Sequence, residues 1–306
     1  MFLVFNEESG IQSVSDIDSV SPAQLGIKAY RCCQLSLGGL SVPRSLVLPV
    51  SVYDTHIHRV GLQDQMDAVC QDPDTASSTE LDAIRHRIQD SALSQDVLAG
   101  ISLFVRPLIG GAAVRSSALT EDTSLWSAAG QYATYLNCRG VSQIEKAVLA
   151  CWSSLWTSHA FAYGARAMTD TARPSMAVLV MEMVEPATSG VVFTENPVTG
   201  ADEIVIEAVW GPSAGLVSGE MNPDRLVFDS SLSKKHAEIA RKQYQYDVTG
   251  DSSQLNKTEV PLERQEIPAL SDEQAIHICT TAKTISSFYG RAQDIEWAMD
   301  KEGLLW

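Results

Sequence analysis

Between Ile101 and Asp122 the chain passes without a break from an apolar, glycine-rich run, ISLFVRPLIGGAAV, into the polar segment VRSSALTED. An apolar run of this kind favours burial, whereas Arg115, Ser116, Ser117, Glu121 and Asp122 are polar or charged. The segment is therefore expected to be a strand that runs out into a loop. SAAGQYATYLN, Ser127 to Asn137, then adds a polar stretch around Gly130. Strand ends of this type commonly mount phosphate-handling groups. Arg115 offers a planar, permanently charged fork for phosphate oxygens, and the hydroxyls and the backbone amides near Gly130 offer neutral donors. The residues alone leave a second reading open, a solvated loop with an internal ion pair.

A chain of 306 residues can bury one large core or two medium ones, which suits a two-lobed domain. Its 22 basic and 38 acidic residues give a formal charge of −16, a sign that repels polynucleotides, so no nucleic-acid partner is expected. A nucleotide is compatible with that charge, because a few local cations and a metal ion neutralise a triphosphate. No apolar run approaches the roughly 18 residues of a membrane span, so no membrane partner is expected. The start, MFLVFNEESG, lacks the basic and long apolar regions of a secretory signal, and the expected location is cytoplasmic. Cys32, Cys33, Cys70, Cys138, Cys151 and Cys279 form no CxxC pair and read as reduced thiols.

Along the chain, Leu25, Ala29, Cys32, Cys33, Leu35 and Leu37 suit a helix over residues 24–40, ended by Gly38-Gly39, and a Pro-bounded strand follows over 41–50. Ser77 and Glu80 form a capping box after an exposed loop, Gln71 to Ser78. VSQIEKAVLACWSSLWTSHAFAYGARAM reads as one long amphipathic helix with Trp152, Leu155, Trp156 and Phe161 in the core. MAVLVMEMV, Met176 to Val184, is a buried strand with SGVVFT as its neighbour, and EIVIEAVW and RLVFD continue a β-rich second half. Residues 230–268 suit a hairpin with a long connection. Ser271 caps a helix that Gly290 ends, and QDIEWAM pairs with GLLW across Asp300 to Gly303. His56 and His58, in THIHRV, would share one strand face as a solvated polar pair, with no third metal ligand evident.

Four further positions carry chemistry, each with a plain structural alternative. Lys28 lies near a helix start, where peptide dipoles favour an anion, or it is an ordinary surface lysine. The apolar strand ending at Glu182 can wall an adenine pocket, or it is simply a buried strand. Glu207 can accept from two ribose hydroxyls or bind a metal, or it belongs to a hairpin with glycine turns. Glu296, flanked by Ile295 and Trp297, either meets a cation such as Mg2+ on an inward strand face or faces solvent by alternation.

VRSSALTED followed by SAAGQYATYLN resembles the nucleotide-binding segment of the phosphoenolpyruvate synthase and pyruvate phosphate dikinase family, which includes the rifampicin phosphotransferases. LGIKAYRCCQLSLGGLSVPRSLVL, VLVMEMVEPATSGVVFTENPVTG, IEAVWGPSAGLVSGEMNPDRLVFD and FYGRAQDIEWAMDKEGLLW are similar to further motifs of that family, in its order from Leu25 to Trp306. The resemblance implies an α+β chain with the ATP-grasp fold, two lobes clasping the nucleotide. Residues 1–175 would be the phosphate-binding lobe and residues 176–306 the lobe for adenine and magnesium. It implies Lys28 and Arg115 as the catalytic cations. Around the nucleotide it places Ser116, Gly130, Gln131, Thr134, Glu182, the backbone of Met183 and Val184, and Glu207, with Glu296 as the magnesium ligand. The implied cofactors are ATP and Mg2+.

Members of the family present the β-phosphate of ATP to a histidine on a separate swivelling domain, which passes it to pyruvate or rifampicin. A phospho-histidine domain and an acceptor-binding domain, in a longer chain or a partner, are therefore expected. The family's next strand would follow Trp306, so the domain is expected to end just before it. Four departures stand out: Ile27 replaces a glycine, His159 an arginine, Met181 a glutamine, and Gly211 to Ala214 a Gly-Leu-Gly-Glu core. They keep two alternatives open, a stand-alone ATP-grasp ligase or kinase, and a degenerate non-catalytic nucleotide-binding or interaction protein.

Overall fold

The computed structural model describes residues 1–73, 75–119, 133–167, 173–217, 219–248 and 255–306. The chain divides into two compact units, Met1–Met183 and Val184–Trp306, each built of mixed α and β structure.

The first unit opens with the hairpin β1 (Phe2–Asn6) and β2 (Gly10–Ser13), then α1 (Pro22–Leu37) and β3 (Ser45–Leu48). Helices α2 (Val50–Arg59), α3 (Gln63–Gln71), α4 (Ser78–Gln89) and α5 (Gln95–Val105) follow. After them come β4 (Ala112–Ala118), β5 (Thr134–Cys138), α6 (Gly140–Ser154), α7 (Ser158–Ala167) and β6 (Met176–Glu182). The strands form one sheet in the order β2-β1-β3-β6-β4-β5, with β1 and β3 parallel and the other neighbours antiparallel. The β3 sequence SLVL and the β6 sequence MAVLVM are buried throughout because both faces of the sheet are covered. On one face α1 packs Leu25, Ala29 and Cys33 against Val47, Ala177, Leu179 and Met181. The other face carries Leu46, Leu48, Val178 and Val180 in a core built around Phe104, Trp152 and Trp156.

The second unit contains β7 (Pro186–Phe193), β8 (Glu203–Trp210), α8 (Ala214–Val217), β9 (Asp224–Asp229) and β10 (Lys234–Glu238). A separate hairpin, β11 (Tyr244–Asp247) with β12 (Asn256–Glu259), precedes α9 (Asp272–Tyr289) and β13 (Asp294–Asp300). Its main sheet is antiparallel, in the order β10-β9-β8-β7-β13. α9 packs Ala275, Ile278, Cys279 and Ala282 against Val192, Ile206, Ala208, Trp297 and Met299. Ser271 accepts from the Gln274 amide at its start, and Gly290 ends it with φ 65°. Beyond β13 the Asp300 carboxylate accepts from the amides of Glu302 and Leu304, and Trp306 and Ala298 then exchange backbone hydrogen bonds of 2.8 and 3.1 Å.

Several expectations are corrected. The division falls after Met183 instead of near residue 175, because β6 pairs with both β3 and β4 inside the first sheet. SGVVFT lies in β7 between β8 and β13 and so is not a neighbour of β6. THIHRV is helical, because Val52, Tyr53, His56 and Ile57 make one buried face of α2. The single long helix is two, α6 and α7, the second begun by Thr157, whose hydroxyl accepts from the Ala160 amide. All six cysteines are free thiols, and among the described residues no helix is long and apolar enough to cross a membrane.

Candidate functional site

The first unit concentrates its candidate phosphate ligands where α1 meets β4. Gly26 interrupts α1 with φ 71° and ψ 165°, and the helix resumes at Ile27, which puts Lys28 in a new first turn. A side chain at Gly26 has no space, since its Cβ would lie 1.9 Å from the Ser117 carbonyl oxygen. The Ser117 hydroxyl donates to the Leu25 carbonyl (2.8 Å) and accepts from the Ala29 amide (2.9 Å). Arg115 lies two residues back on β4 and so shares the face of Ser117, about 7 Å along the strand. Thr134 of β5 stands directly opposite Arg115 and is exposed. The structure thus brings Lys28, Arg115 and Thr134 to one region of the α1 face. Ser116 is buried, its amide donating to the Ala133 carbonyl at 3.4 Å, and alternation turns its side chain to the opposite face from Arg115. Gly130 and Gln131 lie outside the described residues, as do Glu121 and Asp122.

Glu182 closes β6 and is half-buried, its amide donating to the Arg44 carbonyl at 2.8 Å. The Met183 amide donates to Gly111 at 3.0 Å, so the Met183 carbonyl is the group it can turn to an adenine edge. Val184 begins the second unit. Met181 packs with Leu25 and Leu179 in the core under α1, so the residue that replaces the family's glutamine is part of an apolar wall.

In the second unit, Glu207 of β8 and Glu296 of β13 both stand opposite Val191 of β7. Residues directly opposed across antiparallel strands share a face, so the two carboxylates flank Val191 in one row, their Cα atoms about 10 Å apart. Arg225 of β9, opposite Glu207, extends the row. The alternate positions, Ile206, Ala208 and Trp297, enter the α9 core, so the row lies on the face away from α9. Among the described residues no group of three or more His, Cys, Asp or Glu side chains is arranged to hold a metal ion. One or two carboxylates in a row fit Mg2+, which completes its octahedron with phosphate oxygens and water.

The Gly211–Ala214 turn folds against β11. A Cβ at Gly211 would meet the Tyr246 carbonyl oxygen at 2.3 Å, and one at Gly215 would meet the Tyr246 ring at 2.6 Å. His159 is exposed near the start of α7. Two residues escaped the sequence reading. Ser117 reads in sequence only as one of two adjacent hydroxyls, while Gly26 inside a helical pattern is the signal that another element enters there. Arg225 was legible only as the polar position of RLVFD.

The first unit thus carries cations at the α1–β4 junction, and the second, taken by itself, a row of carboxylates on its sheet. The family profile of the pyruvate phosphate dikinase AMP/ATP-binding domain matches residues 23–306, and the chain belongs to that family. It is 31% identical over 303 residues to the prodigiosin synthesizing transferase PigC of Serratia marcescens, covering 97% of this chain and 32% of that protein. It is 33% identical over 278 residues to a probable phosphoenolpyruvate synthase of Methanocaldococcus jannaschii, covering 86% of this chain and 23% of the relative. It is 32% identical over 307 residues to a rifampicin phosphotransferase of Streptomyces sviceus, with 95% and 34% covered. The chain thus spans about a third or less of the length of these three relatives.

Proposed function

We propose that this chain is the ATP-grasp domain of a cytoplasmic dikinase-type phosphotransferase, holding Mg·ATP and presenting its β-phosphate to a histidine on a separate swivelling domain. The observation that carries the reading is the α1–β4 junction, where one buried hydroxyl, Ser117, ties the helix start bearing Lys28 to the strand bearing Arg115. Phosphoryl transfer asks little of a protein beyond positioning and charge neutralisation, and two cations on a rigid mount serve both. Lys28 acts as a mobile point charge on phosphate and Arg115 as a fixed fork. Thr134 adds a hydroxyl, and Ser116, Gly130 and Gln131 complete the segment that the family resemblance assigns to the phosphates.

Glu182, the Met183 carbonyl and the backbone of Val184 serve the adenine edge, and Glu207 accepts from the ribose hydroxyls. Glu296 holds Mg2+, which when bound offsets phosphate charge. The greater length of the relatives leaves room for the swivelling domain and for a domain that binds the acceptor, pyruvate or an antibiotic. Six free thiols suit a reducing compartment. Calorimetric titration with Mg·ATP tests the reading. Arg115→Ala and Glu296→Gln are each expected to weaken binding about tenfold or more. Equal affinity in the wild type and both variants would reject it.

A further inference from the structure

We infer that Ser117 is a positioning residue for phosphate binding, acting through Lys28; the inference rests on the reading of Lys28 as a phosphate ligand. Leu25 and Ala29 are four residues apart, so in an unbroken helix the Ala29 amide would donate directly to the Leu25 carbonyl. Here the Ser117 hydroxyl stands between them, donating to the Leu25 carbonyl and accepting from the Ala29 amide. A hydroxyl is the smallest side-chain group that can do both at once. It therefore replaces one rung of the helix ladder and keeps α1 open at Gly26, as an inserted side chain does at a kink. The three residues are fully buried, so no water is at hand to take the hydroxyl's place.

The positive φ of Gly26 and its contact with the Ser117 carbonyl belong to the same arrangement. Lys28 lies between the break and Ala29, on the turn whose direction the break sets. With the hydroxyl removed, the Leu25 and Ala29 groups regain their partners by closing on each other. The helix then runs straight through Gly26, and the Lys28 turn leaves the β4 face that carries Arg115. Ser117 thus acts on phosphate without touching it.

A double-mutant cycle on ATP affinity, read by calorimetry in the presence of Mg2+, tests this. Ser117→Ala is expected to weaken ATP binding about fivefold to tenfold, and Ser117→Thr, which keeps the hydroxyl, to restore most of it. Lys28→Met is expected to weaken binding at least as much. Adding Ser117→Ala to Lys28→Met is expected to change affinity by less than about twofold, because the residue through which Ser117 acts is gone. Multiplying losses in the double variant would overturn the inference while leaving Lys28 a phosphate ligand. An unchanged affinity in Lys28→Met alone would remove the reading of Lys28 and the inference with it. If Ser117→Ala does not fold, Ser117→Cys, a weaker donor and acceptor of similar size, runs the same cycle.

Discussion

Glu207 and Glu296, 89 positions apart in sequence, flank Val191 in a single cross-strand row of the second sheet. The row continues past Glu207 to Arg225, so its charges run from two carboxylates to a guanidinium. That order matches the different roles proposed for the two acids. Glu207 has a cation as its direct cross-strand neighbour and is suited to neutral hydroxyls. Glu296 lies at the far end, on the strand farthest from Arg225, and is the acid proposed to hold Mg2+.

Glu296→Gln is accordingly expected to raise the Mg2+ concentration needed for half-maximal ATP binding about tenfold, and Glu207→Gln to raise it by less than about threefold. Calorimetry over a Mg2+ series checks this. Equal Mg2+ dependence in the two variants would contradict the division of roles.

Gly26 and Gly39 both have positive φ, 71° and 83°, but only Gly26 is crowded. Gly39→Ala introduces backbone strain alone, expected to cost about 1 kcal/mol. Gly26→Ala adds a collision with the Ser117 backbone and is expected to cost about 3 kcal/mol or more. Urea unfolding of both variants gives the difference, and equal losses would mean that the α1–β4 contact yields without effort.

The strands and helix ends were legible because their causes are local. Ser77 and Ser271 cap the helices that follow them, and Gly290 takes the left-handed conformation that ends α9. The errors arose where tertiary pairing decides. His-Ile-His alternates as a strand would, but Val52, Tyr53, His56 and Ile57 fall on one helical face and win by burial. β6 and β7 are separated by only Met183, Val184 and Glu185, yet they join different sheets, a choice no local residue signals. At the candidate site, the types of Lys28, Arg115 and Glu296 were readable. The Ser117 wedge and the Glu207–Val191–Glu296 row were not, because each exists only through contacts between distant segments.

His56 predicts an acid-sensitive first unit. The Arg59 guanidinium can only donate, so Nδ1 of His56 accepts at 3.1 Å and Nε2 carries the proton that goes to the Ser91 hydroxyl at 2.9 Å. Ser91 in turn donates to the Ile88 carbonyl at 2.6 Å. Burial, aided by the Arg59 charge, pushes the His56 pKa down from 6.5 to about 4. The unfolded chain therefore binds more protons than the folded one between these values, and stability falls as pH drops across that window. The loss is about 3 kcal/mol by the bottom of the range. His56→Gln is expected to flatten this part of the stability–pH curve, and an unchanged slope in urea titrations from pH 7 to pH 4 would refute it.

Lys242 and Asp224 form a buried ion pair that fixes the start of β9, directly before Arg225. Lys242 donates to the Asp224 carboxylate and to the Ala240 carbonyl, while Asp224 also accepts from the amides of Ala240 (3.0 Å) and Ala269 (2.7 Å). With side chains 0% and 2% exposed, neither charge has water to fall back on. Lys242→Met leaves the carboxylate with backbone donors only and is expected to cost about 3–5 kcal/mol in urea unfolding. Asp224→Asn leaves the ammonium buried without its counter-charge and is expected to cost a similar amount. The double variant buries no charge and is expected to lose clearly less than the two singles together. Additive losses would show that the two residues act on β9 separately, with the bonds to Ala240 and Ala269 outweighing the ion pair itself.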